Sequence, residues 1–592
     1  MIFSSCFLRA VLLACLFCGS ITLISCGPSG HGYPENKLLV PTQFGYVKGM
    51  ELAGARVWGG IPYAKPPVGE LRWKAPVDPD YWPGIRDATS HCSECTQRST
   101  DNFMREIPNV YIGSEDCLVL DIYRPATDEN NLPVAVFIHG GGNRTGSAKP
   151  YLAVNFAQKG NMVVVVIQYR LGTLGWLTHP ALRASGTALD QSGNYGTLDT
   201  MKALSWVQNN IAAFGGDPSR VGIAGQSAGG HNVMNLIISP MPNIFHKAFA
   251  MSPALKTLMP LRTVAQGDAQ ANAIIDWLLV DDGTCANAAA AAAYHAGMTN
   301  TQIASYLRSK TDLKIIQATI GGGVYDMPTA FMDGTVMPTV SWLDAINAGN
   351  FKKAPIIIGT TQYEFKDLMI RLNNDAVKLL YNVPSGAYNW DNLYDVVEGT
   401  LTFDQVLPTD TDKVAHEQTG LLKSRKWQAE CNAIARAIKA NDPANTVYSY
   451  LFTWGGGGDP ALENIRKIYG AAHALDVMFW FDIPYDIFGY ANTDANAGGR
   501  ASLAGAMSDY LCSFVNTGNP NPGGSSLPIW TQWSNTPADP KFIRMDADLN
   551  QYQISMDNAE VTTAIVTGEI TTVLGNYPGF AGLFSATGIW PY

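Results

Sequence analysis

The sequence predicts an α/β protein whose central, mostly parallel β-sheet carries helices on both faces. Two short apolar runs, residues 133–139 and 162–168, have the length and aliphatic content of strands buried on both sides. Residues 198–212 carry apolar side chains at helical spacing and lead into a third apolar segment, residues 221–224. Strand, helix and strand in this order indicate a right-handed crossover between parallel strands.

The composition indicates a globular protein without a nucleic-acid partner. The 592 residues are 46% hydrophobic and 15% charged, and the formal net charge is −10. Because lysine and arginine form no basic stripe, we expect no binding to nucleic acid. We expect a single domain over residues 27–592, with helical cap insertions at about residues 255–350 and 366–445. The six alanines from Ala288 to Ala293 fit a plain helix in the first insertion.

Other segments predict strands and an extended wall. Residues 38–59 alternate apolar and polar side chains around glycines, which is typical of an edge hairpin. The proline-rich block from Gly60 to Trp73 favours a rigid, extended segment over a helix or a central strand. Two later apolar runs, residues 355–359 and 447–453, predict further buried strands.

The first 26 residues predict a targeting leader. Arg9 precedes an apolar run, Ala10 to Ile24, that is too short and wrongly flanked for a membrane-spanning helix. The run ends in Leu23-Ile24-Ser25-Cys26-Gly27, which resembles the lipobox of bacterial lipoproteins, where Cys26 would be lipidated. The alternative is an ordinary cleaved signal in which Cys26 is incidental. Both interpretations predict export: the protein would be periplasmic, anchored to a membrane through Cys26, or secreted.

The segment Gly225-Gln226-Ser227-Ala228-Gly229 carries the strongest sign of chemistry. It follows an apolar strand and opens a helix, so Ser227 would stand on a strained turn with its hydroxyl above the sheet. Glycines two residues to either side avoid collisions in so tight a bend. The helix would direct free amide groups and its positive dipole end at the same place. The alternative is a chance motif in a chain with 57 glycines.

A glycine triplet, Gly140-Gly141-Gly142, follows the first buried run. Without side chains, the backbone amides of such a segment can approach a ligand closely. A flexible linker is the alternative, but linkers do not follow core strands. Since histidine, cysteine and carboxylate residues show no spacing typical of metal ligands, we expect no metal and no other cofactor.

Together these motifs resemble the type-B carboxylesterase/lipase family, the cholinesterase-like branch of the α/β hydrolases. The resemblance runs from about residue 38 to about residue 545 and implies the α/β-hydrolase fold. The motifs that carry it, in chain order, are Gly60 to Trp73, Glu115-Asp116-Cys117-Leu118, Gly140-Gly141-Gly142, Tyr169-Arg170-Leu171-Gly172, Gly193-Asn194-Tyr195-Gly196 with Asp199, Asn210 to Pro218, Gly225 to Gly230, Asp333-Gly334, and Gly518-Asn519-Pro520-Asn521.

The resemblance implies a Ser-His-Glu triad. Ser227 would be the nucleophile, and it needs a neighbouring base because a serine hydroxyl is a poor nucleophile by itself. His473 matches the family's catalytic histidine, and Glu364 matches the acid that orients it. The order serine, acid, histidine agrees with that of α/β hydrolases. Asp333 and Asp367 are the alternative acids.

The resemblance also implies an oxyanion hole and one disulfide. The backbone amides of Gly141, Gly142 and Ala228 would stabilise the oxyanion of the tetrahedral intermediate. Cys95 precedes a glutamine as the family's first cysteine does, which pairs it with Cys117. The cysteines whose pairing stays open are Cys92, Cys285, Cys431 and Cys512.

Four departures from the family pattern bear on the substrate. Gln226 stands where many relatives carry glutamate, and Tyr306 replaces the cysteine that would pair with Cys285. The loop between Cys95 and Cys117 lacks the tryptophan with which cholinesterases bind a quaternary ammonium group, so we do not expect choline esters. Arg144 stands close to the glycine triplet, where relatives often have an apolar or aromatic residue.

The resemblance therefore implies a serine carboxylic-ester hydrolase that acts on small-molecule esters through an acyl-enzyme. The alternatives are a lipase, an amide or carbamate hydrolase with the same residues, and a non-catalytic binding protein of the same family. Arg144 suggests a preference for esters with a free carboxylate, and Gln226 is a second candidate for substrate contact. Alternatively, Arg144 pairs with a local acid or points to solvent. The natural substrate and the oligomeric state are not encoded in any motif.

Overall fold

An 11-stranded β-sheet lies at the centre of the computed structural model, which describes residues 37–100, 106–324, 327–371, 399, 402–486 and 489–586. The described strands, in chain order, are β1 (Leu39–Thr42), β2 (Gly45–Lys48), β3 (Met50–Leu52), β4 (Ala55–Pro62), β5 (Ile85–Asp87), β6 (Gln97–Thr100), β7 (Glu106–Ile112), β8 (Val119–Pro125), β9 (Leu132–Ile138), β10 (Val163–Ile167), β11 (Gly216–Gln226), β12 (Lys247–Met251), β13 (Ile356–Thr361), β14 (Val447–Phe452), β15 (Phe542–Ala547) and β16 (Tyr552–Asp557). The order across the large sheet is β16-β15-β14-β13-β12-β11-β9-β10-β8-β4-β3. The remaining strands form a three-stranded sheet, β1-β2-β5, and a two-stranded sheet, β6-β7.

The large sheet is parallel where the sequence predicts it. The strands from β10 through β9, β11, β12, β13 and β14 to β15 pair in parallel, and antiparallel strands flank them on both sides. Every residue of β9, β10, β13 and β14 is buried, as their apolar sequences require. The predicted α/β class is confirmed. In such a sheet the carboxyl ends of parallel strands meet at one edge, where ligands bind.

The proline-rich block departs from the prediction. Its first residues, Gly60 to Pro62, belong to β4, which pairs with β8 and β3 near one edge of the large sheet. The register shifts between Trp58 and Ile61, where Gly60 has a φ of 65°. Pro62, which cannot donate a hydrogen bond to a ladder, is the last residue of the strand. The prolines therefore end this strand instead of preventing it.

Helices occupy both predicted insertions. Those described, in chain order, are α1 (Val154–Gly160), α2 (Gly172–Gly175), α3 (Pro180–Arg183), α4 (Tyr195–Asn210), α5 (Ala228–Ile238), α6 (Val264–Asp281), α7 (Ala288–Ala296), α8 (Asn300–Arg308), α9 (Asp312–Gly321), α10 (Trp342–Asn347), α11 (Glu364–Arg371), α12 (Phe403–Val406), α13 (Asp410–Asn441), α14 (Glu463–Ile468), α15 (Val477–Trp480), α16 (Ala497–Thr517), α17 (Thr563–Asn576) and α18 (Ala581–Ala586). The alanine run lies in α7, and α6 to α9 share an apolar cluster that includes Ile274, Leu307 and Ile315. Much of the second insertion, residues 372–398, lies outside the described residues.

The predicted leader, residues 1–26 with Cys26, also lies outside the described residues. Residues 38–592 group into one unit. None of the helices described above is both long enough and apolar enough to cross a bilayer.

Glycines allow α5 to cross the ends of two strands at backbone contact distance. A Cβ atom on Gly229 would lie 1.9 Å from the carbonyl oxygen of Ile138, the last residue of β9. A Cβ atom on Gly225 would lie 2.3 Å from the carbonyl oxygen of Gly229. Between them, Ser227 has a φ of 58° and a ψ of −120°, a strained conformation for a residue with a side chain. The turn therefore requires glycine on both sides of the serine.

This packing predicts different effects for two glycine-to-alanine changes. Gly229→Ala should destabilise the fold by about 3 kcal/mol or more, because its methyl group meets a backbone carbonyl that cannot rotate away. Gly222→Ala in β11 is the matched control, since the nearest atoms to its Cβ lie 3.8 Å away; its effect should stay within about 0.5 kcal/mol. Thermal unfolding measures both, and equal melting temperatures would contradict the packing argument.

Candidate active site

Glu364 and His473 form a buried hydrogen-bonded pair at the carboxyl end of the parallel sheet. Glu364 is the first residue of α11, and its side chain is fully buried. Its Oε1 accepts the N–H of Thr361, the last residue of β13, at 2.7 Å, and its Oε2 faces Nδ1 of His473 at hydrogen-bond distance. The Tyr363 N–H donates to the Ala471 carbonyl at 3.0 Å, which aligns the segments that carry the two side chains.

Ser227 stands next to this pair, on the turn between β11 and α5. Its backbone N–H donates to the carbonyl of Met251 at 2.9 Å, which fixes the turn on the end of β12. The side-chain nitrogen of Gln226, the residue before Ser227, lies 3.2 Å from Nε2 of His473. Among the described residues no hydrogen bond joins the Ser227 hydroxyl to His473. Such bonds are often long before a substrate binds.

The glycine triplet faces the serine. A Cβ atom on Gly140 would lie 3.1 Å from Cβ of Ser227, so glycine is required for this approach. Gly141 and Gly142 have φ angles of 106° and 64°, and within the described part of the chain their N–H groups donate to no acceptor. Ala228 is the first residue of α5, where a helix has no internal acceptor for the N–H group. These are the amides that the resemblance assigns to an oxyanion hole.

Polar side chains hold the glycine loop in place. Asn143 donates to the Pro328 carbonyl and accepts from Asn232 of α5, both at 3.0 Å. Farther along, Gln97 exchanges two hydrogen bonds with the backbone of Gly146, at 2.9 and 2.7 Å. The loop is therefore tied to α5, to the segment after α9 and to β6.

The structure contains the Cys95–Cys117 disulfide, with an S–S distance of 2.04 Å. Gln97 lies two residues after Cys95, so it connects the disulfide to the glycine loop. The remaining described cysteines, Cys92, Cys285, Cys431 and Cys512, are free thiols. Within the described ranges no group of three histidine, cysteine or carboxylate side chains could hold a metal ion.

Arg144 forms an ion pair with Glu106 of β7, in which Nη2 lies 2.7 Å from Oε1. Its side chain is 19% exposed. This is the local pairing that the sequence left open as an alternative. Gln226, the other candidate for substrate contact, is buried against His473.

Asp333, one of the alternative acids, and two histidines of the glycine loop and of α5 have other roles in the structure. Asp333 accepts from Asn194 and from the backbone of the following turn. His231 contacts the Ala254 carbonyl through Nδ1 at 2.8 Å, and burial lowers its pKa to about 4. Burial also lowers the pKa of His139 to about 4. Both histidines therefore stay neutral in the core.

Two neighbours of His473 have no role in the predicted triad. The indole of Trp427, in α13, lies over the imidazole with ring centroids 5.2 Å apart, and its N–H donates to the Pro253 carbonyl at 2.6 Å. Asp476 is fully buried three residues after His473 and accepts from the Tyr450 hydroxyl at 2.7 Å. Burial raises the pKa of Asp476 to about 6. A tryptophan at a helical core position gives no signal of such a contact, because the contact depends on where α13 packs.

Comparisons with known proteins show the family of this chain. The model of the carboxylesterase family matches residues 36–564. The medium-chain fatty acyl-CoA hydrolase precursor of Anas platyrhynchos is 30% identical over 572 residues, which cover 91% of this chain and 93% of the relative. The fumonisin B1 esterase of Sphingopyxis macrogoltabida is 42% identical over 239 residues, covering 40% of this chain and 43% of the relative.

Solved structures show the same architecture. A carboxylesterase of Geobacillus stearothermophilus at pH 6.2 superposes with a TM-score of 0.66 and 28% sequence identity, covering 88% of this chain and 98% of that chain. The sheet described above is thus that of the α/β-hydrolase fold. The chain belongs to the carboxylesterase family and is a carboxylic-ester hydrolase.

Proposed function

We propose that the protein hydrolyses small-molecule carboxylic esters through an acyl-enzyme on Ser227. His473 acts as the general base and acid, and Glu364 orients it. The observation that carries the proposal is the placement of His473: one ring nitrogen bonds a fully buried carboxylate, and the other faces the serine turn. A base that is oriented in this way can take the proton of a neighbouring hydroxyl.

In the first half-reaction, Ser227 Oγ attacks the ester carbonyl while its proton moves to Nε2 of His473. The carbonyl oxygen becomes an oxyanion, which the N–H groups of Gly141, Gly142 and Ala228 stabilise; one such donor is typically worth about 3–4 kcal/mol. The intermediate collapses when the C–O bond to the alcohol breaks, and the alcohol leaves with the proton from His473. The acyl group stays on Ser227.

In the second half-reaction, water takes the place of the alcohol. His473 removes a proton from the water, the hydroxide adds to the acyl carbon, and the same amides stabilise the second oxyanion. Ser227 then leaves with the proton from His473, and the carboxylic acid is released. Throughout the cycle Glu364 stays an acceptor for Nδ1–H and stabilises the imidazolium when it forms.

The alternative hydrolases would use the same residues as an esterase, whereas a non-catalytic binding protein would not need them. A non-catalytic relative would not need a histidine held between a buried acid and a serine turn, so this geometry favours an enzyme. A lipase would share every step above. A hydrolase of amides would release an amine in place of the alcohol, and a hydrolase of carbamates would form a carbamoyl-enzyme in place of the acyl-enzyme. A panel of esters, amides and carbamates with matched acyl groups distinguishes them by kcat/KM.

The triad assignment predicts the kinetics of three variants. Ser227→Ala should lower kcat/KM for a p-nitrophenyl ester at least about 10⁴-fold. Glu364→Gln should cost roughly 10⁴-fold, because the amide offers an N–H group where His473 or Thr361 needs an acceptor. Ser205→Ala in α4, whose hydroxyl bonds the Met201 carbonyl, is the control and should keep wild-type turnover. Substantial turnover by a folded Ser227→Ala variant would refute the assignment.

The preference for a free carboxylate stays a separate hypothesis, and the Arg144–Glu106 ion pair argues against it. We expect Arg144→Ala to change kcat/KM by the same factor for a monoester of a dicarboxylic acid and for its neutral diester, because the guanidinium is already engaged by Glu106, which Arg98 also contacts at 3.4 Å. Glu106→Gln serves as the partner variant. The hypothesis of direct carboxylate binding requires the opposite: a loss of tenfold or more for the anionic ester alone in Arg144→Ala.

A further inference from the structure

Gln226 makes a contact that the triad scheme does not use. It is the last residue of β11 and is 3% exposed. Its Nε2 lies 3.2 Å from Nε2 of His473, the ring nitrogen that must accept the proton of Ser227. Its Oε1 points towards the glycine triplet, since a Cβ atom on Gly140 would lie 2.8 Å from this oxygen. Glycine at position 140 therefore also makes room for the glutamine amide.

The chemistry of the two groups fixes the direction of this hydrogen bond. Glu364 accepts at Nδ1, so the neutral imidazole carries its proton there and presents a lone pair at Nε2. The amide N–H of Gln226 donates to this lone pair. If the amide were rotated by 180°, the lone pairs of Gln226 Oε1 and His473 Nε2 would face each other and repel. In its neutral form, His473 is therefore held at both ring nitrogens.

We propose that Gln226 is a positioning residue, which holds the neutral form of His473 by Nε2 between turnovers and gives up that nitrogen to the hydroxyl of Ser227 when an ester binds. The proposal rests on the triad function given above. Because the amide is neutral, it orients the imidazole without favouring its cation. Glu364 and Asp476 already face the imidazole from other segments. A further carboxylate at this position would attract the imidazolium and keep the base protonated to higher pH.

Two variants separate the charge of this side chain from its hydrogen bond. Gln226→Glu should move the acid limb of the pH profile of kcat/KM upward by about one pH unit, since an opposite charge within hydrogen-bond reach typically shifts an ionisation by 1–3 units. Activity at pH 6 should then fall about tenfold, while the plateau near pH 9 stays within about threefold of wild type. Gln226→Met removes the hydrogen bond without adding charge, so kcat should fall about tenfold, and the acid limb should rise by less than in Gln226→Glu because the neutral imidazole loses its donor.

Gln208→Glu is the matched control for the added charge. Gln208 lies in α4 and donates to the Ile244 carbonyl, so the same chemical change should leave the acid limb in place. Gln226→Asn provides a second test, because its shorter side chain cannot reach Nε2; we expect it to behave like Gln226→Met. A purely structural role of Gln226 would lower the melting temperature of Gln226→Met and Gln226→Asn but leave kcat of the folded variants unchanged.

The proposal is overturned if Gln226→Glu folds and keeps the wild-type acid limb, or if Gln226→Met and Gln226→Asn both keep wild-type kcat. Either result with an inactive Ser227→Ala variant would leave the triad intact and remove only the role of Gln226. Turnover by Ser227→Ala would instead remove the function on which the proposal rests. Melting temperatures of all variants identify any that fail to fold.

Discussion

The approach of α5 to the end of β9 at backbone contact distance is the constraint on which the site depends. Gly229 meets the Ile138 carbonyl so closely that no side chain fits between them, and this contact holds the helix start directly above the sheet. Ser227 is forced into a conformation with positive φ, and Ala228 presents its N–H group beside the serine. Because β9 continues into the glycine triplet, one packing contact places nucleophile and oxyanion donors together.

Several polar groups near His473 are neutral and add no charge to its surroundings. His139 and His231 lie on the glycine loop and on α5, and burial lowers the pKa of each to about 4, so neither adds a cation near the serine. The residue before the serine is an amide, Gln226. In such surroundings the buried carboxyl groups of Glu364 and Asp476 and oriented backbone dipoles set the local field, and preorganised dipoles of this kind stabilise a developing oxyanion without reorganisation.

The sequence predicts those parts of the site that follow from local rules. A Gly-x-Ser-x-Gly turn after an apolar strand indicates its own geometry, and glycines after a core strand indicate free amides. The partner of Arg144 and the contact of Trp427 with His473 could not be predicted in this way. Glu106 reaches Arg144 from a separate two-stranded sheet, and Trp427 reaches His473 from a helix of the second insertion. Such contacts depend on how distant elements dock.

The central claim is that Ser227 is the nucleophile. The most direct test is to treat the folded wild-type protein with a fluorophosphonate, digest it and map the modified peptide by mass spectrometry. The structure predicts one adduct per chain, on Ser227, formed in proportion to the loss of esterase activity. Complete loss of activity with the adduct on any other residue would contradict the account.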